Sequence, residues 1–169
     1  LKGLAAELPA GASVVAGQAG ITSGGADMLV NQATQNAIID WNSFSIGGGA
    51  TVTFQNGSGA TLNRVTGSGI SSIDGSLSAT GSLFLVNQNG IVIGKDGVVQ
   101  TGGTFVASTL DISNDDFLDG GDMTFAGEST ASVISLGKVG SLGGDIGFFA
   151  RHIVNEGELS APNGTVGLA

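Results

Sequence analysis

The sequence predicts an all-β protein, a right-handed parallel β-helix with coils of roughly 20 residues. Three observations predict this fold. Gly supplies 31 of the 169 residues and Pro only 2; the Gly residues separate short Val, Ile, Leu and Phe runs; and segments of the chain match one another at offsets of roughly 20 residues. Because Gly and β-branched clusters interrupt most helical windows, we expect almost no helix. An antiparallel sandwich is the alternative, but it would not produce this self-similarity.

Residues 1–50 carry no clear repeat and are predicted to form an N-terminal β cap, since repeat arrays need atypical ends that cover the last apolar layer. The coils are predicted over 51–169, within a single domain. Trp41, the only Trp, and Phe44 are expected to plug the apolar layer, because bulky aromatic side chains are more often buried than displayed. The alternative is that they anchor a partner. The candidate cap residues are Asn31, Asn36, Trp41 and Phe44.

Two pairs of segments carry the repeat. Residues 75–83 match 97–105, and residues 137–148 match 157–168, with Gly on Gly and apolar on apolar. The longer pair follows the pattern Gly-x-apolar-x-small-x-Gly-Gly-x-apolar-x-apolar, with Asn163 at the first Gly of the Gly-Gly pair in the second copy, and this pattern is typical of two short strands that meet at a glycine corner. With about 4.8 Å between paired strands, we expect roughly eight coils in a rod on the order of 40 Å long.

A sharp corner is predicted between the apolar runs 83–86 and 91–94. Asn suits the first position of a type I turn and Gly the fourth, so Asn-Gln-Asn-Gly at this point indicates strand, turn, strand. We interpret the corner as a structural element first and as a candidate recognition motif second. Its residues are Asn87, Gln88, Asn89, Gly90 and Ile91.

Residues 109–130 break the pattern and are predicted to form a loop outside the helix. Five carboxylates lie close together in this segment, and such a group could hold Ca²⁺. Neither an EF-hand nor the nonapeptide repeat of calcium-binding β-rolls is present, so a solvated acidic loop is the better interpretation and no metal site is expected. The five carboxylates are Asp111, Asp115, Asp116, Asp119 and Asp122.

Charge and composition exclude several classes of function. The formal net charge is −9, which disfavours nucleic acid and anionic membrane surfaces as partners. The longest apolar run is far shorter than the roughly 20 residues that span a bilayer, so a soluble, mature or trimmed product is expected. A carbohydrate-cleaving β-helix is the strongest enzymatic alternative, but Arg64, Arg151 and three Lys are widely spread and the one His, His152, is expected at the surface. We expect no enzyme activity and no cofactor.

Several dispersed blocks, in order along the chain, resemble one known family. They occupy residues 30–32, 35–47, 62–65, 84–94, 105–113 and 160–166. With these blocks, the sequence from about residue 8 onward resembles the N-terminal secretion (TPS) domain of two-partner secretion exoproteins, the filamentous haemagglutinin and high-molecular-weight adhesin family. One departure is clear: the family's Asn-Pro-Asn-Gly-Ile has Gln88 in place of Pro here, and its Asn-Pro-Asn-Leu motif is absent.

The resemblance implies a non-catalytic targeting domain at the N-terminus of a much larger exoprotein of the adhesin, haemagglutinin or haemolysin kind. The implied partner is an outer-membrane TpsB transporter with periplasmic POTRA domains, which would read the turn motif, and the domain would nucleate β-helix folding outside the cell. The expected location is the secreted fraction or the surface of a Gram-negative bacterium, reached through the periplasm, and a monomer is expected. The missing C-terminal region could bind host cells. The alternative is an adhesive or carbohydrate-binding β-helix segment.

Overall fold

The computed structural model describes residues 6–169, and over this range it contains twenty short strands and one helix. The first five residues of the predicted cap lie outside the described part. In chain order the elements are β1 (Ser13–Ala16), β2 (Ala19–Gly24), β3 (Asp27–Gln32), β4 (Asn36–Trp41), β5 (Thr51–Gln55), β6 (Ala60–Val65), β7 (Ser71–Ile73), β8 (Ser76–Ala79), β9 (Ser82–Val86), β10 (Ile91–Ile93), β11 (Val98–Thr101), β12 (Phe105–Ser108), β13 (Asp111–Ile112), α1 (Asn114–Asp119), β14 (Phe125–Ala126), β15 (Ser132–Ser135), β16 (Lys138–Ser141), β17 (Ile146–Phe149), β18 (His152–Asn155), β19 (Glu158–Ser160) and β20 (Val166–Leu168).

The strands form a parallel β-helix with three faces, which confirms the predicted fold class. Face 1 has the order β2-β3-β5-β8-β11-β16-β19, face 2 has β1-β4-β6-β9-β12-β17-β20, and face 3 has β7-β10-β15-β18. Successive coils are β3-β4, β5-β6-β7, β8-β9-β10, β11-β12-β15, β16-β17-β18 and β19-β20, numbered coils 1 to 6 below. There are about six coils and not the expected eight, because the chain also forms β1, β2 and a segment outside the helix.

The strand register reproduces the sequence repeat. Leu77 pairs with Val99, as the match between 75–83 and 97–105 requires. Val139 pairs with Leu159, as the match between 137–148 and 157–168 requires. The self-similarity of the sequence therefore predicts which residues stack in neighbouring coils.

A column of glycines explains why Gly opens each repeat. Gly75, Gly97, Gly137 and Gly157 immediately precede β8, β11, β16 and β19. A Cβ added to any of them would collide with a backbone carbonyl oxygen of the preceding coil. Glycine is therefore required at this corner by the close approach of two backbones.

Apolar side chains fill the interior of the helix in a continuous column. Alternate residues of each strand point inward, so the core contains one layer from every coil. Full burial of each large side chain contributes about 1.5 to 3 kcal/mol. The largest buried members are Trp41, Phe44, Phe54, Phe105 and Phe148.

Antiparallel strands cover the N-terminal end. β1 pairs with β4, with an irregularity between Val14 and Ala16, and β2 pairs with β3. Parallel pairing begins with β3 on β5 and β4 on β6, so the coils start before residue 51 and the covering strands are β1 and β2.

Residues 109–131, called the excursion below, leave the helix between β12 and β15. This matches the predicted extra-helical segment, but it is more ordered than a solvated loop. β13 and β14 form an antiparallel pair, and α1 is capped by the Ser113 side chain and ends at Gly120 in the left-handed conformation. Ile112 and Phe117 are buried against the outside of face 2. No helix in the described residues is long and apolar enough to cross a membrane.

Candidate functional site

The predicted corner connects β9 to β10 as a hydrogen-bonded turn. The backbone N–H of Gly90 donates to the Asn87 carbonyl oxygen at 3.1 Å, which closes the four-residue turn. Gly90 has a φ of 121°, a conformation that favours glycine. The sequence pattern Asn-x-Asn-Gly thus specifies the local backbone directly.

The buried side chain of Asn87 stabilises the turn through hydrogen bonds. Its side chain is fully buried, and its Oδ1 accepts from the Asn89 backbone N–H at 2.9 Å. Its Nδ2 donates to the Gly69 carbonyl and to Ser71 Oγ, both at 3.0 Å. All of its amide hydrogen-bonding groups are therefore engaged, and two of these bonds join coil 3 to coil 2.

The turn is tied to its neighbours on both sides. Asn89 Nδ2 donates to the Gly67 carbonyl at 2.8 Å, in the preceding coil. From the excursion, Ser129 Oγ donates to the Gln88 carbonyl at 2.6 Å. The corner is thus a junction between coil 2, coil 3 and the excursion.

The five motif residues differ in the exposure of their side chains to solvent. The Gln88 side chain is exposed and Asn89 is half-buried. Ile91 is fully buried in the interior, where β10 pairs with β7 and β15. A partner of the folded domain can reach Gln88 and the edge of Asn89, whereas Asn87 and Ile91 become accessible only when the coil opens.

The four candidate cap residues do not form one site. Trp41 and Phe44 are each 1% exposed and pack edge to face at 5.4 Å between ring centroids. Asn31 is exposed on β3, and Asn36 is half-buried at the start of β4. The two aromatic rings are thus core residues of coil 1, and neither is displayed to a partner in the folded domain.

Asn63 is a buried polar residue that sequence reasoning did not single out. It lies in the interior row between Ile39 and Leu85, and its Oδ1 accepts from Trp41 Nε1 at 2.9 Å. A buried indole N–H needs an acceptor. The signal in the sequence was an Asn at an inward position of the strand that follows the only Trp.

Arg64 is the second residue whose role sequence reasoning missed, since it was noted as a dispersed cation and as part of the block 62–65 without a structural role. It points outward from β6 and anchors the start of the excursion. Its Nε donates to Asp111 Oδ1 at 2.9 Å, its Nη2 to the Ile112 carbonyl at 2.7 Å and its Nη1 to Asn114 Oδ1 at 3.0 Å. Nη1 also contacts Asp40 Oδ1 at 3.3 Å. One guanidinium therefore joins β4, β6, β13 and α1.

An apolar groove of about 690 Å³ runs between the excursion and the outside of face 2. Its chemistry suits contact with apolar groups. Asp145 at the rim is the one charged residue among its lining side chains. The apolar walls are formed by Phe84, Val106, Met123, Phe125 and Phe149.

The acidic side chains and His152 are the remaining candidate metal ligands in residues 6–169. No group of three or more His, Asp or Glu side chains lies together there in a way that could hold a metal ion. His152 is exposed on β18. Candidate binding surfaces in the described part include the turn and the groove.

A family model described as the TPS secretion domain matches residues 5–169. This chain belongs to the TPS secretion domain family. The match covers the helix, the covering strands and the excursion, and it confirms the resemblance drawn from the dispersed sequence blocks. As a class, TPS secretion domains partner with outer-membrane TpsB transporters, and the related exoproteins are secreted from Gram-negative bacteria.

Individual relatives agree with the family assignment. A heme/hemopexin-binding protein of Haemophilus influenzae strain Rd is 34% identical over 174 residues, which cover 94% of this chain and 18% of the relative. A second Haemophilus influenzae protein of that description is 37% identical over 87 residues, covering 50% of this chain and 9% of the relative. This TPS domain thus spans less than a fifth of the length of the curated relatives that it matches.

A solved structure carries the same fold. The crystal structure of the HMW1 secretion domain from Haemophilus influenzae superposes with a TM-score of 0.86 at 34% sequence identity, covering 95% of this chain and 44% of that one. The β-helix is therefore shared with a secretion domain of an exoprotein from this family.

Proposed function

We propose that this TPS domain directs a large exoprotein of the adhesin, haemagglutinin or haemolysin kind to its outer-membrane TpsB transporter by binding the periplasmic POTRA domains. The observation that carries the proposal is the family match over residues 5–169. The role is one of binding and templating and requires no catalysis. The exoprotein would pass through the periplasm and reach the cell surface or the medium.

The two ends of the helix support a templating role. At the N-terminal end, β1 and β2 cover coil 1 with antiparallel strands. At the other end, β18, β19 and β20 are edge strands of their three faces in the described residues. Unpaired strand edges are templates for further pairing. We propose that a seventh coil adds to these edges during folding outside the cell.

Side chains of coil 6 support the same templating role. Inward-facing Val166 and Leu168 are 40% and 49% exposed, although they stack on Ile146 and Phe148 in the buried column. A further coil stacked on these side chains would remove them from water, with about 25 cal/mol gained for each Å² buried.

We further propose that the transporter reads Asn87, Gln88, Asn89, Gly90 and Ile91 before the domain is fully folded. Burial of Asn87 and Ile91 supports this order of events, since their side chains are accessible only in an open form. Folding would then withdraw the motif and weaken the contact. The absence of Cys from the sequence is compatible with passage through a pore as an extended chain.

A secretion assay tests the proposal. Residues 1–169 would be fused, behind a signal for export to the periplasm, to a reporter that is not otherwise secreted, and expressed with and without the transporter. We expect the reporter in the medium only when both are present. The same fusion with Asn87→Ala and Ile91→Ser is expected to remain in the periplasm. Equal release without the transporter would overturn the proposal.

A further inference from the structure

The excursion contacts five successive coils. Strand pairing, by contrast, connects each coil only to its immediate neighbours. A solenoid is normally a one-dimensional array in which each repeat senses only the repeats beside it. In the described residues, each parallel strand pairs only with strands of the adjacent coils. The excursion departs from this arrangement.

The first half of the excursion contacts the N-terminal coils 1 and 2. Arg64 of coil 2 binds Asp111, Ile112 and Asn114 of the excursion. The same guanidinium contacts Asp40 of coil 1, and α1 lies against β4 of that coil.

The middle of the excursion packs on coil 3. The Phe117 ring of α1 meets the Phe84 ring edge to face, with 5.3 Å between centroids and an 80° interplanar angle. Phe117 is 1% exposed, so this contact is a second buried core on the outside of face 2. The members of that core come from coils that are distant in sequence.

The second half of the excursion contacts coil 5 and the turn of coil 3. Phe125 stacks on Phe149 of coil 5 at 4.8 Å between centroids and 15° between ring planes. Ser129 donates to the Gln88 carbonyl in the turn of coil 3. The excursion itself begins and ends in coil 4, so its contacts extend from coil 1 to coil 5.

We propose that the excursion is a brace that makes coils 1 to 5 fold and unfold as one cooperative unit, and that it docks only after these coils have stacked. Its docking surface combines Asp40, Arg64, Phe84 and Phe149 from four strands, so that surface does not exist until the strands are in register. Once docked, the brace penalises the opening of any single coil, because opening one coil breaks contacts that serve the others. The hydrogen bond from Ser129 includes the Gln88 corner in the same unit.

Native-state hydrogen exchange in rising denaturant tests this proposal. In the unmodified chain we expect the amides of β4, β6, β9, β12 and β17 to share one opening free energy and one denaturant dependence. In Phe117→Ala we expect coils 1 and 2 to open separately from coil 5, each with a smaller denaturant dependence, since less surface is exposed in each step. Leu118→Ala is the matched control, because Leu118 is the next residue of α1 and is 39% exposed.

Two results would overturn the brace. One is coil-by-coil exchange in the unmodified chain. The other is a Phe117→Ala variant that loses protection equally in all five strands with unchanged denaturant dependence, which would make Phe117 a source of stability alone. If Phe117→Ala does not fold, the milder Phe125→Leu loosens only the contact to coil 5, and we then expect β17 alone to separate from the unit.

Discussion

Arg64 Nε lies 2.9 Å from Asp111 Oδ1, although the two residues are 47 positions apart in the sequence. The contact joins the second coil of the helix to the first strand of the excursion. The Arg64 side chain is 16% exposed and that of Asp111 is 35% exposed, so the pair is partly shielded from water. This contact links a coil of the TPS domain to the segment that leaves the helix.

Replacing Arg64 is expected to loosen the start of the excursion. Arg64→Gln removes a charged donor that serves Asp111, Asn114 and the Ile112 carbonyl, and a loss of about 1 to 3 kcal/mol in unfolding free energy is expected. Urea unfolding monitored by Trp41 fluorescence measures it. Arg151→Gln is the control, since Arg151 is exposed and should change stability by no more than about 0.5 kcal/mol. Equal losses in the two variants would contradict the anchoring role.

The buried pair of Trp41 and Asn63 is expected to be mutually dependent. Asn63→Leu leaves the indole N–H buried without its acceptor, which costs about 1 to 3 kcal/mol. Trp41→Phe removes the donor and should make the second change less costly, so the double variant Trp41→Phe with Asn63→Leu is expected to be more stable than the sum of the single effects. A double-mutant cycle in urea measures the coupling. Strict additivity would show that the hydrogen bond is not what places Asn63 in the interior.

The glycine column predicts a sharp difference between two Gly→Ala changes. In Gly97→Ala the new methyl group meets the Ile73 carbonyl oxygen, and the collision is expected to cost about 1 to 3 kcal/mol or more. Gly121→Ala in the excursion places its methyl group in open space and is expected to be neutral within about 0.5 kcal/mol. Thermal unfolding by circular dichroism compares the two. A neutral Gly97→Ala would refute the close-approach explanation of the repeat.

The turn carries a prediction about Gln88. Pro at the second turn position reduces the freedom of the unfolded chain, so Gln88→Pro is expected to stabilise the folded domain by about 0.4 to 1 kcal/mol. Chemical denaturation measures the change, with Gln88→Ala as the control for loss of the side chain. Destabilisation by Gln88→Pro would show that the local backbone of this domain cannot accept the family residue.

Much of the fold could be predicted because each coil repeats a short pattern of Gly and apolar residues. The matches of Gly75 to Gly97 and of Gly137 to Gly157 fixed the register, since each Gly is needed at the same corner of a coil. Coil 1 was not recognised as a coil, because β3 and β4 match no later segment at the residue level and their third side is reduced to the bridge between Ile46 and Ile73. The resemblance to the family supplied the proposed function, which the repeat alone does not specify.

The contacts outside the helix could not be predicted from local pattern. Arg64 and Asp111 are each ordinary surface residues in a sequence window, and only the stacking of coils brings them together. Phe117 lies among Asp residues, so its sequence window indicates a solvated loop. Its burial depends on the apolar outer surface of face 2, which forms only when the coils stack. To predict the role of Asn63 one must know that the Trp41 indole of the preceding coil reaches its side chain, although its register partner there is Ile39. These three residues carry information that depends on tertiary structure.

The most direct test of the central claim is to delete residues 1–169 from the exoprotein while keeping its export signal, and to measure the protein in the medium with the transporter present. We expect secretion to be abolished and the truncated protein to accumulate in the periplasm. Restoring residues 1–169 should restore secretion. Undiminished secretion of the deleted form would contradict a targeting role for this domain.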